Sequence, residues 1–547
     1  MNTPRLLVSA AHKSSGKTTV TLGLAAAWAA QGLTVQCFKK GPDYIDPMWL
    51  ALASGRSCYN LDPHLSERAA IEQRVAQSAA GADLALVEGN KGLYDGLSLD
   101  GSNSNAALAK MLGAPVLLVL DARGMTRGIA PLILGYQAFD RDIRIAGVVL
   151  NRVGGARHES KLRAVIEHYT DVPVLGAVAE NPRLALAERH LGLLPCVEHE
   201  GAAAWVAEVA RIVGAQVDLA RVRGLAAAAK GATVATVAAS AAVPAAPIAA
   251  PRRERSAPPA RGTGDSRGPR ESCDSPDGRL RIGIARDRAF GFYYPDDLDA
   301  LRAGGADLVF IDTLHDQRLP PLDGLFVGGG FPETCAEALE DNPALRGALR
   351  EAVVGGLPTY AECGGLMLMA RSIRWRDHHA EMVDVIAGDA VMHERPVGRG
   401  YVQLEETEAM PWPASAGQPA LATARGHEFH HASLEGLPPG QRFAWRVQRG
   451  HGIDGRHDGL VVHNLLASFS HLRHGAGAFW VDRFLAHVRA IRAERDERDE
   501  RDVREGGAPR AAQPARAPKR QNARSSTLAP HGHLPVAPLA PADAPIA

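Results

Sequence analysis

Residues 14–19 near the amino terminus could bind a phosphate. They follow an apolar run at 6–10 and precede a segment of helical composition at 18–30. At such a turn, backbone N–H groups and the positive end of a helix dipole attract phosphate, while Lys17 reaches the terminal phosphates and Thr18 ligates Mg²⁺. The pattern predicts a nucleotide site made of Ser14, Ser15, Gly16, Lys17, Thr18 and Thr19.

The match to a phosphate loop is incomplete, because Ala11 stands where the GxxxxGK[ST] pattern has its first glycine. A glycine-containing turn at the start of a helix is the alternative interpretation. His12 and Lys13 fit a role as phosphate contacts and a role as exposed turn residues equally well.

Two further loops place carboxylates after apolar runs, at 38–47 (FKKGPDYIDP) and 88–96 (EGNKGLYDG). Because Mg²⁺ takes one or two protein carboxylates in nucleotide sites, we predict that Asp43 and Glu88 join Thr18 as metal ligands. Asp46 and Asp95 then remain to orient a substrate. The alternative is that these residues only shape turns.

Cys363 lies in the segment TYAECGGLML, which reads as a strand, a sharp turn and a helix. Such an elbow exposes a nucleophile, and the positive end of the following helix favours a thiolate. Gly364 and Gly365 let backbone N–H groups approach a developing oxyanion. Since a lone cysteine is more often buried and inert, the prediction of a nucleophile depends on the elbow and its glycines.

A thiol nucleophile needs a base, and the carboxyl-terminal half of the chain is rich in histidine. Hydrophobic periodicity does not choose among these histidines, and a surface or core histidine is the default interpretation of each. The candidates are His393, His427, His430, His431, His451, His463, His471 and His474.

Alternating apolar runs and helical segments predict an α/β fold with two domains. Continuous apolar strands at 6–10, 34–38, 83–88, 115–121, 145–151 and 173–178 indicate a parallel sheet covered on both faces. Runs at 281–285, 307–311, 324–329 and 357–362, again alternating with helices, predict a second sheet. In such sheets ligands bind beyond the carboxyl ends of the strands, which is where the polar loops above lie.

Composition restricts the class of protein. The 547 residues exceed the length of one ordinary domain. The 61 basic and 61 acidic side chains give a net charge of zero, so no overall field attracts nucleic acid or an anionic membrane. We therefore expect small-molecule partners. The six cysteines show no zinc or disulfide spacing. Because no apolar stretch approaches about 20 residues and no signal-peptide pattern is present, the sequence predicts a cytoplasmic protein. A homodimer is one open possibility for its oligomeric state.

Two regions differ from the rest in composition. We predict domain boundaries at 1–222 and 279–493, separated by a disordered Ala/Pro/Arg-rich linker at 223–278. Residues 494–547 begin with the charged repeat ERDERDERD, which should prolong the last helix, and end in a tail that we predict to be disordered.

Nine motifs occur in order over residues 5–490: KSSGKTTVTLGL, FKKGPDYIDP, EGNKGLYDG, ERHLGL, AFGFYYPDDL, GGGFPE, YAECGGLM, RGHEFHHAS and ASFSHL. This set resembles the glutamine-hydrolysing cobyrinate or hydrogenobyrinate a,c-diamide synthases. The resemblance implies a dethiobiotin-synthetase-like P-loop ATP domain joined to a class I glutamine amidotransferase domain, with Mg²⁺ and ATP. It implies that ATP phosphorylates a- and c-carboxylates of a corrin and that ammonia from glutamine displaces the phosphate.

Roles for individual residues also follow from the resemblance. Cys363 is expected to attack the glutamine amide, with His471 enhancing its nucleophilicity and the Gly329/Gly364 backbone forming the oxyanion hole. Lys17, Thr18, Asp43 and Glu88 correspond to the nucleotide–metal site, and Tyr44, Asp46 and Asp95 fall in loops expected to meet the macrocycle.

The sequence departs from the family pattern around the thiol. Arg473 stands where many amidotransferases have a glutamate two residues after the catalytic histidine, so a Cys/His pair is expected rather than a triad. His474 is displaced by one position from a His-Leu-His pattern. Two alternatives stay open: diamidation of a related tetrapyrrole such as nickel sirohydrochlorin, and a partitioning-type ATPase, which would not need the thiol elbow.

Overall fold

A computed structural model describes residues 3–186, 188–189, 192–228, 278–414, 422–475 and 479–504, with backbone only at 188–189, 192 and 502–504. Both predicted domains lie within one compact unit, Met1–Ala493. Most of the predicted linker, part of the ERHLGL motif and the tail after residue 504 lie outside the described residues.

The amino-terminal domain is built on a parallel sheet, as predicted. In the described part of the chain this sheet has seven strands in the order β3-β2-β4-β1-β5-β6-β7. Its strands are β1 (Arg5–Ala10), β2 (Val35–Lys40), β3 (Tyr59–Leu61), β4 (Leu84–Glu88), β5 (Val116–Asp121), β6 (Ile145–Val153) and β7 (Val174–Ala179), followed by a small hairpin of β8 (Glu188–Arg189) and β9 (Gly192–Leu193). The sequence analysis missed β3 because it is only three residues long.

Helices cover both faces of this sheet, so that its apolar strands are buried on each side in a separate hydrophobic cluster. The helices are α1 (Lys17–Ala30), α2 (Ile45–Ser54), α3 (Arg68–Ser78), α4 (Asn105–Leu112), α5 (Ile129–Phe139), α6 (Ala156–Tyr169), α7 (Ala202–Gln216) and α8 (Leu219–Ala227). The last of these corrects the predicted boundary at 222, since Val222 and Ala226 are buried in the core and the domain continues through them.

The carboxyl-terminal domain contains a mixed sheet and a small four-stranded sheet. Among the described residues the large sheet has nine strands in the order β12-β10-β13-β15-β24-β23-β22-β19-β20, and the small one has the order β17-β16-β18-β21. The strands are β10 (Leu280–Ala285), β11 (Phe290–Phe292), β12 (Ala306–Ile311), β13 (Gly324–Val327), β14 (Gly329–Gly330), β15 (Thr359–Glu362), β16 (Ala370–Trp375), β17 (His378–Glu381), β18 (Ile386–Met392), β19 (Gly398–Glu406), β20 (Thr423–His430), β21 (Ala432–Glu435), β22 (Arg442–Arg449), β23 (His457–Val462) and β24 (Leu465–Ser468).

The predicted alternation of strands and helices in this domain is only partly right. Residues 312–323, which join β12 to β13, form turns and no helix. The helices are α9 (Pro295–Ala303), α10 (Ala336–Glu340), α11 (Pro343–Val354), α12 (Gly364–Met369) and α13 (Trp480–Arg504). As expected, the charged repeat is helical as far as residue 504. No helix in the described ranges is both long and apolar enough to cross a membrane.

Arg473, two residues after His471, ties the two domains together. Its guanidinium is buried, and Nη2 donates 2.8 Å to Oδ2 of Asp296 on α9 and also to the carbonyl of Asn60 on β3. Arg74 of α3 pairs with the other oxygen of Asp296 at 2.6 Å. A buried ion pair of this kind is costly to break, because the remaining charge stays in a low-dielectric environment.

We predict that Arg473→Leu lowers the free energy of unfolding by about 3 kcal/mol, because Asp296 loses a buried partner. The matched control is Arg302→Ala, whose exposed pair with Asp299 spans 3.4 Å and should contribute less than about 1 kcal/mol. Denaturant unfolding of both variants checks this. Equal losses in the two variants would contradict the structural role of Arg473.

Candidate functional site

The phosphate loop follows β1 and ends where α1 begins at Lys17. Ser14 and Gly16 have positive φ angles of 62° and 88°. At Gly16 a side chain is excluded, because a Cβ atom would lie 2.0 Å from Nδ2 of Asn151. The predicted loop therefore has a conformation that requires its glycine.

Two residues at the end of β6 hold this loop, and the sequence analysis did not find them. The side-chain amide of Asn151 donates to the Ser15 carbonyl at 2.9 Å, and Arg152 Nη1 donates to the Ser14 carbonyl at 2.7 Å. Arg152 also pairs with Asp121 at 2.8 Å. The only signal in the sequence was their place at the end of an apolar run, which predicts a strand of the same sheet as the strand before the phosphate loop.

Lys17 points into a charged and largely buried environment. Its side chain lines the same cavity as Thr18 and Thr19, and the residue is 7% exposed. Burial, with a contribution from the nearby Lys39 ammonium, lowers the pKa of Lys17 to about 8. Of the equivocal neighbours, Lys13 also lines this cavity, while His12 is exposed and contacts the Lys13 carbonyl.

The three predicted metal ligands fall into two groups. Thr18 Oγ1 donates to Glu88 Oε1 at 2.6 Å, whereas Asp43 Oδ1 accepts from the backbone N–H of Ile45 at 3.0 Å at the start of α2. Burial, followed by the charge of Asp46, raises the pKa of Asp43 to about 7. Among the described residues, no group of three or more His, Cys, Asp or Glu side chains has the arrangement of a metal site.

Lys39, a residue that the sequence analysis did not select, occupies the centre of this carboxylate cluster. It pairs with Asp46 and, at 2.9 Å, with Glu88. The charges of these two carboxylates outweigh the effect of burial and raise the pKa of Lys39. The second oxygen of Glu88, Oε2, is buried with no hydrogen-bond partner in the described part of the chain, so the oxygen donors present fit a hard cation.

The three predicted substrate residues are not gathered at one point. Asp46 and Tyr44 line the cavity, but Asp46 is already paired with Lys39. Asp95 is exposed and accepts the Gly92 N–H at 2.8 Å, and its charge helps to stabilise the Lys17 ammonium. Their role toward a substrate stays a prediction.

Cys363 lies at the predicted elbow between β15 and α12. Its φ of 49° is unusual for a residue other than glycine, and its backbone N–H donates to the Ser468 carbonyl at 2.7 Å. The two following glycines have little space: a Cβ at Gly365 would lie 2.2 Å from the Val327 carbonyl oxygen, and one at Gly364 would lie 3.0 Å from the Gly330 nitrogen. The elbow thus needs glycine at 365 and leaves little space for a side chain at 364.

His471 is the histidine that the structure brings to the thiol. It is buried and hydrogen-bonded to the side chain of Cys363. Burial alone would lower the pKa of His471, but the hydrogen bonds and charges of Cys363 and Glu362 raise it to about 10. This environment favours the protonated imidazolium form of His471.

Glu362 supplies the carboxylate that the sequence analysis expected to be missing. Its Oε2 lies 3.4 Å from Nδ1 of His471, while Oε1 accepts the Leu472 N–H at 2.9 Å and the Tyr360 hydroxyl at 2.6 Å. The thiol site is therefore a Cys–His–Glu constellation, and the expected Cys/His pair is corrected. The signal available in the sequence was the position of Glu362 directly before the predicted nucleophile, Cys363.

The predicted oxyanion glycines border the same centre. A Cβ atom at Gly329 of β14 would lie 2.6 Å from Cε1 of His471, and Gly364 is the first residue of α12. The Gly329 backbone therefore lies against His471 and Gly364 directly follows Cys363, which supports their predicted role without testing it.

The remaining candidate histidines divide into those that line the cavity and those that do not. His427 stacks on His471 with ring centroids 4.9 Å apart, and burial lowers its pKa well below the usual value, so it is neutral. His430 and His431 also line the cavity. His451, His463 and His474 do not line it, and His393 hydrogen-bonds Ser433.

One cavity of about 760 Å³ joins the two predicted centres. Its wall includes Gly16, Lys17 and Thr18 from the phosphate loop, and Cys363 and His471 from the thiol site. A nucleotide and an amide donor would therefore share a continuous space.

Comparisons with known proteins agree with this division. Residues 4–187 match an AAA domain, and residues 281–479 match a CobB/CobQ-like glutamine amidotransferase domain. The solved structure of PurLQS from Thermotoga maritima covers 39% of this chain and 99% of that chain at 12% identity, with a TM-score of 0.31, too low to carry an argument.

Curated relatives extend across both domains. A cobyrinate a,c-diamide synthase of Magnetococcus marinus is 43% identical, covering 88% of this chain and 96% of the relative. Those of Methanosarcina acetivorans and Archaeoglobus fulgidus are 38% and 37% identical, each covering 86% of this chain and 92% and 94% of the relative, respectively. Such similarity along nearly the whole length of each relative means that the chain belongs to the cobyrinate a,c-diamide synthase family.

Proposed function

We propose that this enzyme, a glutamine-hydrolysing ligase, amidates the a- and c-acetate carboxylates of cobyrinate or hydrogenobyrinate with ATP and glutamine. The observation that carries the proposal is the single cavity lined by the phosphate loop and by Cys363. A carboxylate activated at one end can meet ammonia released at the other. The relatives named above are synthases of this kind.

The thiol centre releases the ammonia. The Cys363 thiolate attacks the glutamine amide carbon, and the oxyanion that forms is stabilised by the backbone at Gly329 and Gly364. The His471 imidazolium protonates the leaving nitrogen, so ammonia departs and a glutamyl thioester remains. Water then hydrolyses the thioester to glutamate, with His471 accepting the proton of that water.

The nucleotide centre activates the acceptor. A carboxylate oxygen of the macrocycle attacks the γ-phosphorus of ATP, ADP leaves, and an acyl phosphate forms. Lys17 stabilises the phosphate charge, and Tyr44, Asp46 and Asp95 are the residues we expect to position the macrocycle. A Mg²⁺ ion held by Thr18, Asp43 and Glu88 would supply further charge neutralisation when bound. Ammonia then attacks the acyl carbon, phosphate departs, and the amide is the product.

The direct test is incubation of the purified chain with cobyrinate, hydrogenobyrinate or nickel sirohydrochlorin, each with MgATP and glutamine. Mass spectrometry should show two successive amidations of a corrin. Exclusive amidation of nickel sirohydrochlorin would replace the proposed substrate with the alternative tetrapyrrole. Absence of amidation and of glutamine hydrolysis would favour the partitioning-type ATPase.

We predict that Cys363→Ala reduces glutamine hydrolysis at least about a thousandfold, because the nucleophile is lost. The same variant should still amidate the macrocycle when an ammonium salt replaces glutamine. Cys335→Ala, a buried cysteine of the same domain, is the matched control and should keep glutamine hydrolysis. Glutamine-dependent amidation at the normal rate in Cys363→Ala would show that another group is the nucleophile.

Lys17→Ala should reduce amide formation at least about a hundredfold, with glutamine as with ammonium, since the phosphate charge loses its cation. Basal glutamine hydrolysis should persist, because Lys17 does not touch the thiol centre. Lys110→Ala, which removes an exposed lysine paired with Asp140, is the control. The assay is product formation at saturating ATP, and unchanged amide formation would refute the role of the phosphate loop.

Glu362→Gln should move the alkaline limit of glutamine hydrolysis to lower pH by about 1 unit. The reason is that the Glu362 charge helps to hold the pKa of His471 near 10, so its removal lets the imidazolium lose its proton earlier. Rate against pH measures this, with the exposed Glu381→Gln as control. A profile identical to that of the unchanged protein would exclude Glu362 from the constellation.

A further inference from the structure

Two positively charged side chains of the cavity wall have no role in the chemistry described so far. Among the lysines and arginines that line the cavity in the described part of the chain, Lys13 and Lys17 belong to the phosphate loop and Arg152 holds that loop. The other two are Lys40, at the end of β2, and Arg399, on β19. Each domain thus contributes one cation that the nucleotide site does not use.

Lys40 differs from its neighbour Lys39 in what surrounds it. Successive side chains of a strand point to opposite faces, and Lys39 meets the carboxylates of the cluster described above. Lys40 Nζ donates instead to two amide oxygens, Asn90 Oδ1 at 3.1 Å and Asn103 Oδ1 at 3.4 Å. Within the described ranges it forms no ion pair with a carboxylate. Only one of the two lysines is therefore neutralised by direct contact.

The Lys40 ammonium is buried, with 2% of the residue exposed. Burial lowers its pKa to about 8, although the charge of Asp62 opposes this from beyond contact distance. Asp62 is itself occupied, because its Oδ2 accepts the Tyr401 hydroxyl at 2.8 Å and its Oδ1 accepts the His64 N–H at 2.9 Å. Since a charge is costly to bury without a partner, Lys40 is placed to meet an anion from the cavity.

Arg399 faces the same cavity from the amidotransferase domain. Its guanidinium lies over the ring of Phe429, with Cζ 5.6 Å from the ring centroid. Phe429 also lines the cavity, and Arg399 pairs with no carboxylate of the described residues. Stacking on an aromatic ring restrains a guanidinium while leaving its N–H groups available to an anion.

A contact between the domains brings these two cations to one side of the cavity. Lys40 is in register with Leu61 of β3, and the next residue, Asp62, accepts the hydroxyl of Tyr401 on β19. Tyr401 lines the cavity together with Arg399, which precedes it by two positions. The end of β2 and this part of β19 therefore border one region of the cavity.

The chemistry of the substrates indicates which anion belongs in this region. Lys40 lies on the face of β2 opposite to Lys39, whose partner Glu88 accepts the Thr18 hydroxyl, so Lys40 points away from the phosphate loop. A corrin acid is a polycarboxylate. While one of its carboxylates is phosphorylated, the others have to be accommodated elsewhere in the cavity.

We propose that Lys40 and Arg399 form an anion subsite that binds carboxylates of the macrocycle other than the one being phosphorylated. The inference deepens the proposed function and rests on it. Charges from both domains then fix the orientation in which the macrocycle presents a single carboxylate to Lys17 and Thr18. Lys40 and Arg399 are thereby residues that select an acidic macrocycle.

The test is equilibrium dialysis of cobyrinate against the full-length protein, without ATP and glutamine. Lys40→Met and Arg399→Gln should each raise the Kd for cobyrinate at least about tenfold, because a charge-assisted hydrogen bond is lost. Arg399→Lys keeps the charge and should recover part of the affinity. In the amidation assay the effect of both charge-removing variants should appear in KM for the macrocycle, with kcat within about threefold of the unchanged value.

Two matched controls remove charges that are near the subsite but outside the cavity wall. Lys91 is exposed, and its charge acts on Lys40 without contact. Arg425 is exposed and donates to the His64 carbonyl at 3.2 Å across the domain interface. Lys91→Met and Arg425→Gln should bind cobyrinate within about twofold of the unchanged protein, because exposed charges are screened. A loss in these controls equal to that in the subsite variants would overturn the proposal.

Thermal unfolding separates binding from folding. Because the buried ammonium of Lys40 has no ion pair to lose, Lys40→Met should unfold at a temperature no lower than that of the unchanged protein. A lower unfolding temperature with unchanged affinity for cobyrinate would make Lys40 a structural residue and overturn its role. Arg399→Gln, at an exposed position, keeps the proposal testable if Lys40→Met folds poorly.

The source of the anion is decided by dialysis with MgATP and by KM for glutamine. Weaker binding of either one, with unchanged binding of cobyrinate, would assign the cations to a phosphate or to the glutamine carboxylate and overturn the proposal. If the unchanged protein neither binds nor amidates a corrin, the proposed function fails and the subsite fails with it. Corrin amidation with full affinity for cobyrinate in both Lys40→Met and Arg399→Gln defeats the subsite alone.

Discussion

The parallel pairing of β15 with β24 is the constraint on which the thiol chemistry depends. Glu362 is in register with Ser468, so the two strands end together, and the Cys363 N–H is bonded to the Ser468 carbonyl. Parallel neighbours present their carboxyl ends at the same edge of a sheet. Cys363 and His471, 108 positions apart in the chain, are brought together by this pairing.

The amino-terminal sheet applies the same rule to phosphate chemistry. The loops after β1, β2 and β4 meet at one edge, where Thr18, Lys39 and Glu88 are in direct contact. The edges of the two sheets line one cavity. The cluster around Lys39 is a set of buried charges that compensate one another, and burial strengthens each of these interactions.

The sequence predicted those parts of the fold that have a local cause. Continuous apolar runs identified six of the strands in the first sheet, and the elbow with Gly364 and Gly365 identified Cys363. The antiparallel part of the second sheet, formed by β19, β20, β22 and β23, was not predicted because its strands alternate polar and apolar residues among many arginines and glutamates. Glu362 was overlooked because a strand residue adjacent to a nucleophile is expected to point away from it.

Contacts between the domains could not be predicted at all. The Tyr44 hydroxyl contacts Nδ1 of His471 although the two residues are 427 positions apart, and Arg473 reaches β3 and α9 across the same interface. No propensity or periodicity relates such residues, because the relation exists only after both domains have folded and met. The substitution at 473 was recognised as unusual, but its structural reason, a buried bond between domains, needed the coordinates.

The position of Glu362 next to Cys363 has a mechanical consequence. Sulfur and carboxylate are carried by consecutive residues of one strand end, which is anchored in the middle of the large sheet, so neither can be displaced without the other. The imidazole is carried by a different segment of the chain, because His471 lies beyond the end of β24. The neighbouring domain holds the one side chain from outside this domain that lies within hydrogen-bonding distance of the ring in the described residues.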